Sequence, residues 1–152
     1  MANLTIENGL QDAGLLSISG DVSLREGPST TGIFEAKPPV EIIQKDQSYY
    51  VHFYWTQQMW LTEIIQGEWE CTAYFEKMGS GETSGANPST SVTHVQRDGH
   101  CYFIDVVIPA NSLETGLYEV VASLTFKGGE GGRRPIPIAA FAELGKLQVY
   151  TA

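Results

Sequence analysis

Cysteine is scarce in this sequence, and basic residues are half as frequent as acidic ones. The 152-residue chain has two cysteines, Cys71 and Cys101, whereas a small secreted domain that depends on disulfides usually carries more. We expect two free, buried thiols, and one bridge between them stays open as an alternative. Nine basic against eighteen acidic residues give a net charge of −9, which repels phosphate backbones and anionic lipids. The composition therefore excludes nucleic acid and membranes from the expected partners.

Long apolar runs and an export signal are missing as well. No segment approaches the roughly eighteen consecutive apolar residues that a transmembrane helix needs. The first residues, MANLTIENGLQDAGLL, contain no basic segment followed by an apolar stretch and a small-residue cleavage site. We therefore expect a soluble, cytoplasmic protein.

Motifs that carry catalysis are also missing. The chain contains no phosphate-binding glycine loop ending in Lys-Ser/Thr, no nucleophile elbow, no paired-histidine zinc helix and no CxxC pair. Two of the three histidines, His52, His94 and His100, could form a metal site together with a carboxylate, but their separate strands and lack of local spacing favour three histidines on strand faces or at the surface. We expect a protein that is not an enzyme and binds no cofactor, and a metal-dependent enzyme is the less favoured alternative.

What the chain does contain is a series of short strand-like runs. Segments of four to eleven residues rich in Val, Ile, Tyr, Phe, Trp and Thr lie between clusters of Gly, Pro, Asn and Ser, which is typical of an all-β protein. The predicted strands cover about 40–45, 48–56, 67–77, 92–96, 100–108 and 117–126, with one or two pieces in 136–150. Asp98-Gly99, between two of these runs, predicts a two-residue hairpin turn.

The first 39 residues differ from the rest. LLSISGDVSL (15–24) can form one strand, but the following REGPSTTGIFEAKPP contains three prolines. Residues 1–39 are therefore predicted to form an N-terminal arm that adds an edge strand, packs on its own domain or reaches a neighbouring subunit. Residues 40–152 are predicted to form the β-sandwich domain.

Side-chain alternation predicts one buried face for most strands. In SYYVHFYW (48–55) the predicted core face carries Tyr49, Val51, Phe53 and Trp55. The opposite face carries Tyr50, His52 and Tyr54, and we expect it to be a free sheet surface or an interface. Burial on one side is typical of antiparallel sheets that stack as a sandwich or close as a barrel.

NSLETGLYEVVASLTF (111–126) resembles the turn-into-strand segment of immunoglobulin-like sandwiches, in which a Leu, a Gly and a Tyr precede an alternating strand. Leu113, Gly116 and Tyr118 occupy these places. The resemblance implies an antiparallel sandwich of about seven strands, with the Tyr118 hydroxyl bonded to the backbone of the preceding turn and Trp69 in the core. No cysteine stands two residues after Tyr118, where antibody domains place one. Such sandwiches serve many unrelated functions, so the resemblance concerns the fold.

The connection TQQMWLTEIIQG (56–67) is too apolar for an ordinary loop. Its apolar side chains are Met59, Trp60, Leu61, Ile64 and Ile65. These side chains either cap the open end of the sandwich or form an interface anchored by Trp60. Together with the missing catalytic motifs, they favour a non-catalytic binding or assembly module that contacts another protein, or another copy of itself, through loops at one end.

The residues expected to carry this contact come from the connection and from the outer strand face. They are Met59, Trp60, Ile64, Ile65, Tyr50, His52 and Tyr54. A carbohydrate-binding module is the alternative, because sugar rings stack on exposed aromatic side chains. The aromatic candidates for that function are Tyr50, Tyr54, Trp60 and Tyr74.

Overall fold

The structure is a computed structural model, and it describes residues 2–6, 13–27, 41–79, 81–82, 87–129 and 134–151. Within these residues the chain forms eleven strands and one 3-10 helix, Trp60–Glu63. The strands are β1 Ala2–Asn3, β2 Thr5–Ile6, β3 Ser17–Glu26, β4 Ile42–Gln44, β5 Tyr49–Gln58, β6 Gly67–Lys77, β7 Gly81–Glu82, β8 Ser89–Thr93, β9 Cys101–Ile108, β10 Gly116–Gly128 and β11 Arg134–Tyr150.

The strands form two sheets. The first has the order β1-β3-β5-β9, and the second has the order β2-β11-β10-β6-β7, with β8 also paired to β6. Pairing is antiparallel throughout both orders, and β4 joins the end of β11 in parallel. The predicted all-β class and the predicted antiparallel sheets are therefore confirmed.

Side chains from both sheets build one hydrophobic core. Its centre is aromatic, because Trp55 of β5 meets Trp69 of β6 edge-on, with ring centroids 6.0 Å apart. Tyr102 of β9 stacks on Trp55 at 4.8 Å. The predicted core face of β5 is confirmed, since its four residues are all buried. Aromatic pairs in these geometries add about 0.5–1.5 kcal/mol to the stabilisation from burial alone.

The turn before β10 is closed by a tyrosine. The hydroxyl of buried Tyr118 donates a hydrogen bond of 2.7 Å to the backbone carbonyl of Glu114. Because the bond spans only four residues, it ties the entry of β10 to the preceding turn.

The prediction of a hairpin at Asp98-Gly99 is wrong. The strand before it is β8, which pairs with β6, while β9 after it pairs with β5 in the other sheet. Gly99 does adopt a positive φ of 79°, so the dipeptide turns the chain, but it lies within a crossover between sheets. The predicted strand 92–96 accordingly ends earlier, at Thr93.

The N-terminal part of the chain contributes strands to both sheets. β3 pairs with β5 along its whole length, and the chain passes from the first sheet to the second between β1 and β2. The proline-rich segment 28–40 lies outside the described residues, and the domain boundary at residue 39 stays a prediction. In the described ranges, no helix has the length and apolar character needed to cross a membrane.

The two cysteines are not bonded to each other. Cys71 is a free thiol buried in the core, and Cys101 is a free thiol at the surface. The expectation of free thiols is confirmed, and the expectation that both are buried is wrong for Cys101.

Candidate functional site

The connection between β5 and β6 presents apolar side chains in two directions. We call residues 59–65 the Trp60 turn. Leu61 and Ile65 pack against the core, whereas Trp60 is 53% exposed and Ile64 is 59% exposed. The sequence left two alternatives for the apolar residues of this turn, capping of the core or an exposed interface. Leu61 and Ile65 follow the first alternative, and Trp60 and Ile64 are exposed as the second requires.

Hydrogen bonds hold the Trp60 turn in place. The hydroxyl of fully buried Thr62 donates to the carbonyl of Met59 at 2.7 Å. The amide of Leu61 donates to the carbonyl of Leu15 at 3.1 Å. The amide of Met59 donates to the Asp98 carboxylate at 2.9 Å. The first bond closes the turn itself and the other two join it to two distant segments, so the exposed side chains project from a well-connected backbone.

Met59 has an unusual backbone conformation, with φ 82° and ψ 163°. Side chains other than glycine rarely adopt this region, and holding one there costs about 1–3 kcal/mol. Such strain is concentrated at functional sites. The turn that exposes Trp60 therefore begins at a strained residue.

A buried histidine lies beneath the turn. The indole N–H of Trp69 donates to Nδ1 of His94 at 3.0 Å, and Nε2 of His94 lies 2.8 Å from the carbonyl of Thr62. Because Nδ1 accepts and a carbonyl can only accept, the ring is neutral with its proton on Nε2. Burial lowers the pKa of His94, and the nearby His100 lowers it further, while the bond to Thr62 acts in the opposite direction.

A second set of hydrogen bonds holds the neighbouring loop, residues 94–100. The side-chain amide of Gln57 donates to the carbonyls of Val95 and Arg97, both at 2.7 Å. The Tyr102 hydroxyl donates to the Gln57 carbonyl oxygen at 2.8 Å and accepts from the Val95 amide at 2.9 Å. The 94–100 loop and the Trp60 turn are therefore both fixed at the same end of the sandwich.

The outer face of β5 is not the free surface that the sequence suggested. Tyr50 is 1% exposed, His52 is 4% exposed, and Tyr54 is half-buried. Alternation assigns Tyr50, His52 and Tyr54 to one face correctly but does not reveal that this face is covered at Tyr50 and His52. Tyr50 therefore does not serve as an exposed platform for a sugar ring.

Ser23, His52 and Asp105 form a row on this outer face, because β3, β5 and β9 place them opposite one another. Nδ1 of His52 lies 2.5 Å from the Asp105 carboxylate. The Ser23 hydroxyl accepts a bond from Nε of Arg25 at 2.9 Å, and Nε2 of His52 has no hydrogen-bond partner within the described residues. The row has the residue types of a hydrolase triad without its serine–histidine bond, and all three side chains are buried.

The three histidines do not converge. His94 and His100 lie at the end of the sandwich that carries the Trp60 turn, whereas His52 lies on the outer face of the first sheet. Across the described part of the chain, no group of three or more His, Cys, Asp or Glu side chains is placed to hold a metal ion.

Sequence analysis did not identify the polar residues beneath the turn. Gln57 and Tyr102 are 45 residues apart in sequence, and no local motif joins them. The only sequence feature that pointed to them was indirect, because Gln57 and His94 are polar residues within strand-like apolar runs. Asp105 gave a similar signal as the single charge within CYFIDVVI.

Comparison with known proteins gave no family assignment, since no protein-family model and no curated protein matches this chain.

Proposed function

We propose that this protein is a non-catalytic binding module on an immunoglobulin-like sandwich, and that its Trp60 turn docks onto another protein. The observation that carries the proposal is the exposed indole of Trp60 on a turn that is anchored by buried Thr62, by the packing of Leu61 and Ile65 on the core and by hydrogen bonds. Exposure of a large side chain on a flexible loop would not by itself indicate a binding site. An indole held outward by a strained and connected turn is arranged for contact.

The strand order supports the immunoglobulin-like assignment. In that family's lettering, β3, β5 and β9 correspond to strands A, B and E of one sheet, and β6, β10 and β11 correspond to C, F and G of the other. The bond from Tyr118 to Glu114 corresponds to the family's tyrosine corner. Buried Trp69 lies on the strand that corresponds to C, where the family places its core tryptophan.

Energetic arguments support docking at the Trp60 turn. Tryptophan is enriched among residues that dominate binding free energy, because it buries a large area with little loss of side-chain freedom. Covering an exposed large apolar side chain contributes about 1.5–3 kcal/mol. Ile64 of the same turn and Val95 of the neighbouring loop are also exposed. Because both segments are already fixed, docking orders few additional groups.

Charge favours a different protein over a second copy as the partner. The chain carries a net charge of −9, so two copies repel each other as they approach. At the Trp60 end, Glu63 and Asp98 are exposed together with Arg97. The complementary surface is an apolar pocket for the indole with a neutral or basic rim.

Size-exclusion chromatography with light scattering tests this proposal. The tagged protein is compared in purified form and in an extract of the cells that naturally produce it. We expect the purified protein to be a monomer and the protein in the extract to elute at a larger mass. The double variant Trp60→Ser/Ile64→Ser should return to the monomer mass, whereas Tyr74→Ser, which changes an exposed ring on the other sheet, should not.

Three outcomes count against the proposal. The first is a wild-type protein that remains a monomer in the extract. The second is a complex that survives the double substitution. A purified protein with twice the monomer mass would show instead that the turn binds a second copy.

A further inference from the structure

A pocket of about 320 Å³ opens on the outer face of the first sheet, away from the Trp60 turn. It lies where β1, β3 and β5 meet. Its polar lining consists of Asn3, Ser19, Asp21, Tyr54 and Thr56. The volume is at the lower end of the range of small-ligand sites, so the pocket suits a ligand of one small ring.

Strand register brings these side chains together. Asn3 pairs with Asp21, and Asp21 pairs with Tyr54, so one row crosses three strands. The next row pairs Ser19 with Thr56. Residues two apart on a strand face the same side of the sheet, so all five polar groups reach the pocket from a rigid sheet.

The tyrosine ring in the pocket is held in a defined orientation. Tyr54 packs on Phe103 of β9, with ring centroids 5.0 Å apart and planes inclined by 34°. Its hydroxyl lies 3.5 Å from the hydroxyl of Thr56. The ring is therefore positioned before any ligand arrives, which reduces the entropy lost on binding.

The chemistry of the lining selects the class of ligand. Asp21 provides a carboxylate that accepts hydrogen bonds, Asn3 both donates and accepts, and the hydroxyls do both. Asp21 is the only charged group among the described lining residues, so an anionic ligand would find no counter-charge there. We infer that this pocket binds a neutral saccharide unit, with its ring against Tyr54 and its hydroxyls on Asp21 and Asn3.

Titration with simple sugars tests the inference without depending on the Trp60 turn. Methyl glycosides of glucose, galactose, mannose and N-acetylglucosamine are added to ¹⁵N-labelled protein, and chemical-shift changes are followed by NMR. We expect at least one sugar to bind with a millimolar dissociation constant, because the pocket is small and open. The shifted amides should include those of Asp21 and Tyr54.

Matched variants locate the site. Asp21→Asn and Tyr54→Ala should each weaken binding about tenfold or more, the effect of losing one charge-assisted hydrogen bond or one ring contact. Tyr74→Ala, an exposed ring on the other sheet, should leave binding unchanged, as should Trp60→Ala. Asp21→Asn keeps the shape of the side chain and so tests the pocket even if Tyr54→Ala fails to fold.

Three results would overturn the inference. The first is that none of the four sugars binds at millimolar concentrations. The second is binding that Asp21→Asn leaves intact. Loss of sugar binding in Trp60→Ala would move the site to the Trp60 turn and would also overturn it.

Discussion

Among the single residues beneath the Trp60 turn, His94 is the one whose contacts depend on its protonation state. Its Nδ1 accepts from Trp69, and a proton on that nitrogen would face the indole N–H. Because burial lowers the pKa of His94 below the ordinary 6.5, the unfolded chain takes up this proton at higher pH than the folded one. The stability that neutral His94 contributes is therefore full above the ordinary pKa, and it is lost as the pH falls from that value through the lower pKa of the folded state.

Urea unfolding at about pH 7.5 and about pH 5.5 measures this loss. We expect the free energy of unfolding to fall for the wild type and to fall by less for His94→Asn. His100→Asn is the control, since the pKa of His100 is also lowered but its ring is less buried. It should retain most of the wild-type loss. An equal loss in wild type and His94→Asn would contradict the assigned tautomer.

Met59 gives a second prediction at the residue scale. Glycine adopts its backbone conformation without strain but adds about 0.5–1 kcal/mol of chain entropy, while alanine keeps the strain of about 1–3 kcal/mol. We expect Met59→Gly to be more stable than Met59→Ala by about 1–2 kcal/mol in urea unfolding. If the alanine variant is as stable as the glycine variant, Met59 is not strained.

The sequence predicted faces of strands better than it predicted single side chains in the turn. Alternation with a period of two placed Phe53 and Trp55 in the core correctly. A single turn of 3-10 helix repeats too few times to show a period, so nothing local separates partly buried Leu61, which packs on the core, from exposed Trp60. That separation depends on tertiary contacts with the 94–100 loop and with the segment around Leu15.

At the scale of elements, the two sides of the Trp60 turn should differ in their effect on folding. We expect Leu61→Ala to lower the free energy of unfolding by about 1–2 kcal/mol, because the side chain packs on the core while only partly buried. Trp60→Ser should change it by less than about 0.5 kcal/mol, as for other exposed positions. Thermal and urea unfolding compare the two variants directly. A large loss of stability in Trp60→Ser would mean that the indole serves folding rather than docking.

The close pairing of β3 and β5 gives another prediction. A Cβ added at Gly20 would lie 2.0 Å from the carbonyl oxygen of Tyr54 and 2.6 Å from Cα of Trp55. Neither backbone atom can move without shifting the strand, so Gly20→Ala should lower the free energy of unfolding by about 3 kcal/mol. Ser19→Ala, at the exposed neighbouring position, should cost less than about 0.5 kcal/mol. Equal stability of these variants in urea unfolding would contradict the register of β3 on β5.

Strands were predicted correctly where residues close together in the sequence carried the pattern. The segment 67–77 was predicted with its observed bounds, because its apolar and polar residues alternate without interruption. The Asp98-Gly99 turn was assigned to a hairpin because turn chemistry is the same whether the chain returns to its own sheet or crosses to the other. Only long-range pairing of β8 with β6 and of β9 with β5 decides between these possibilities.

For the whole molecule, composition and strand pattern indicated the all-β class, while function depends on which surfaces remain uncovered. Alternation groups residues on a face but does not show whether that face is covered, and so His52 was expected at a surface but is buried. Of the seven residues that the sequence analysis expected to carry the contact, Trp60 and Ile64 are the exposed ones. The central claim is that these two side chains contact another protein.

Photo-crosslinking from position 60 tests that claim most directly. A benzoylphenylalanine replaces Trp60 in the full chain within its native cells, and the same residue replaces Tyr74 as the control. We predict one discrete adduct from position 60, containing a different protein, and none from position 74. The adduct should disappear when Ile64→Ser is added. An absence of adducts from position 60, or the same adducts from both positions, would contradict the account.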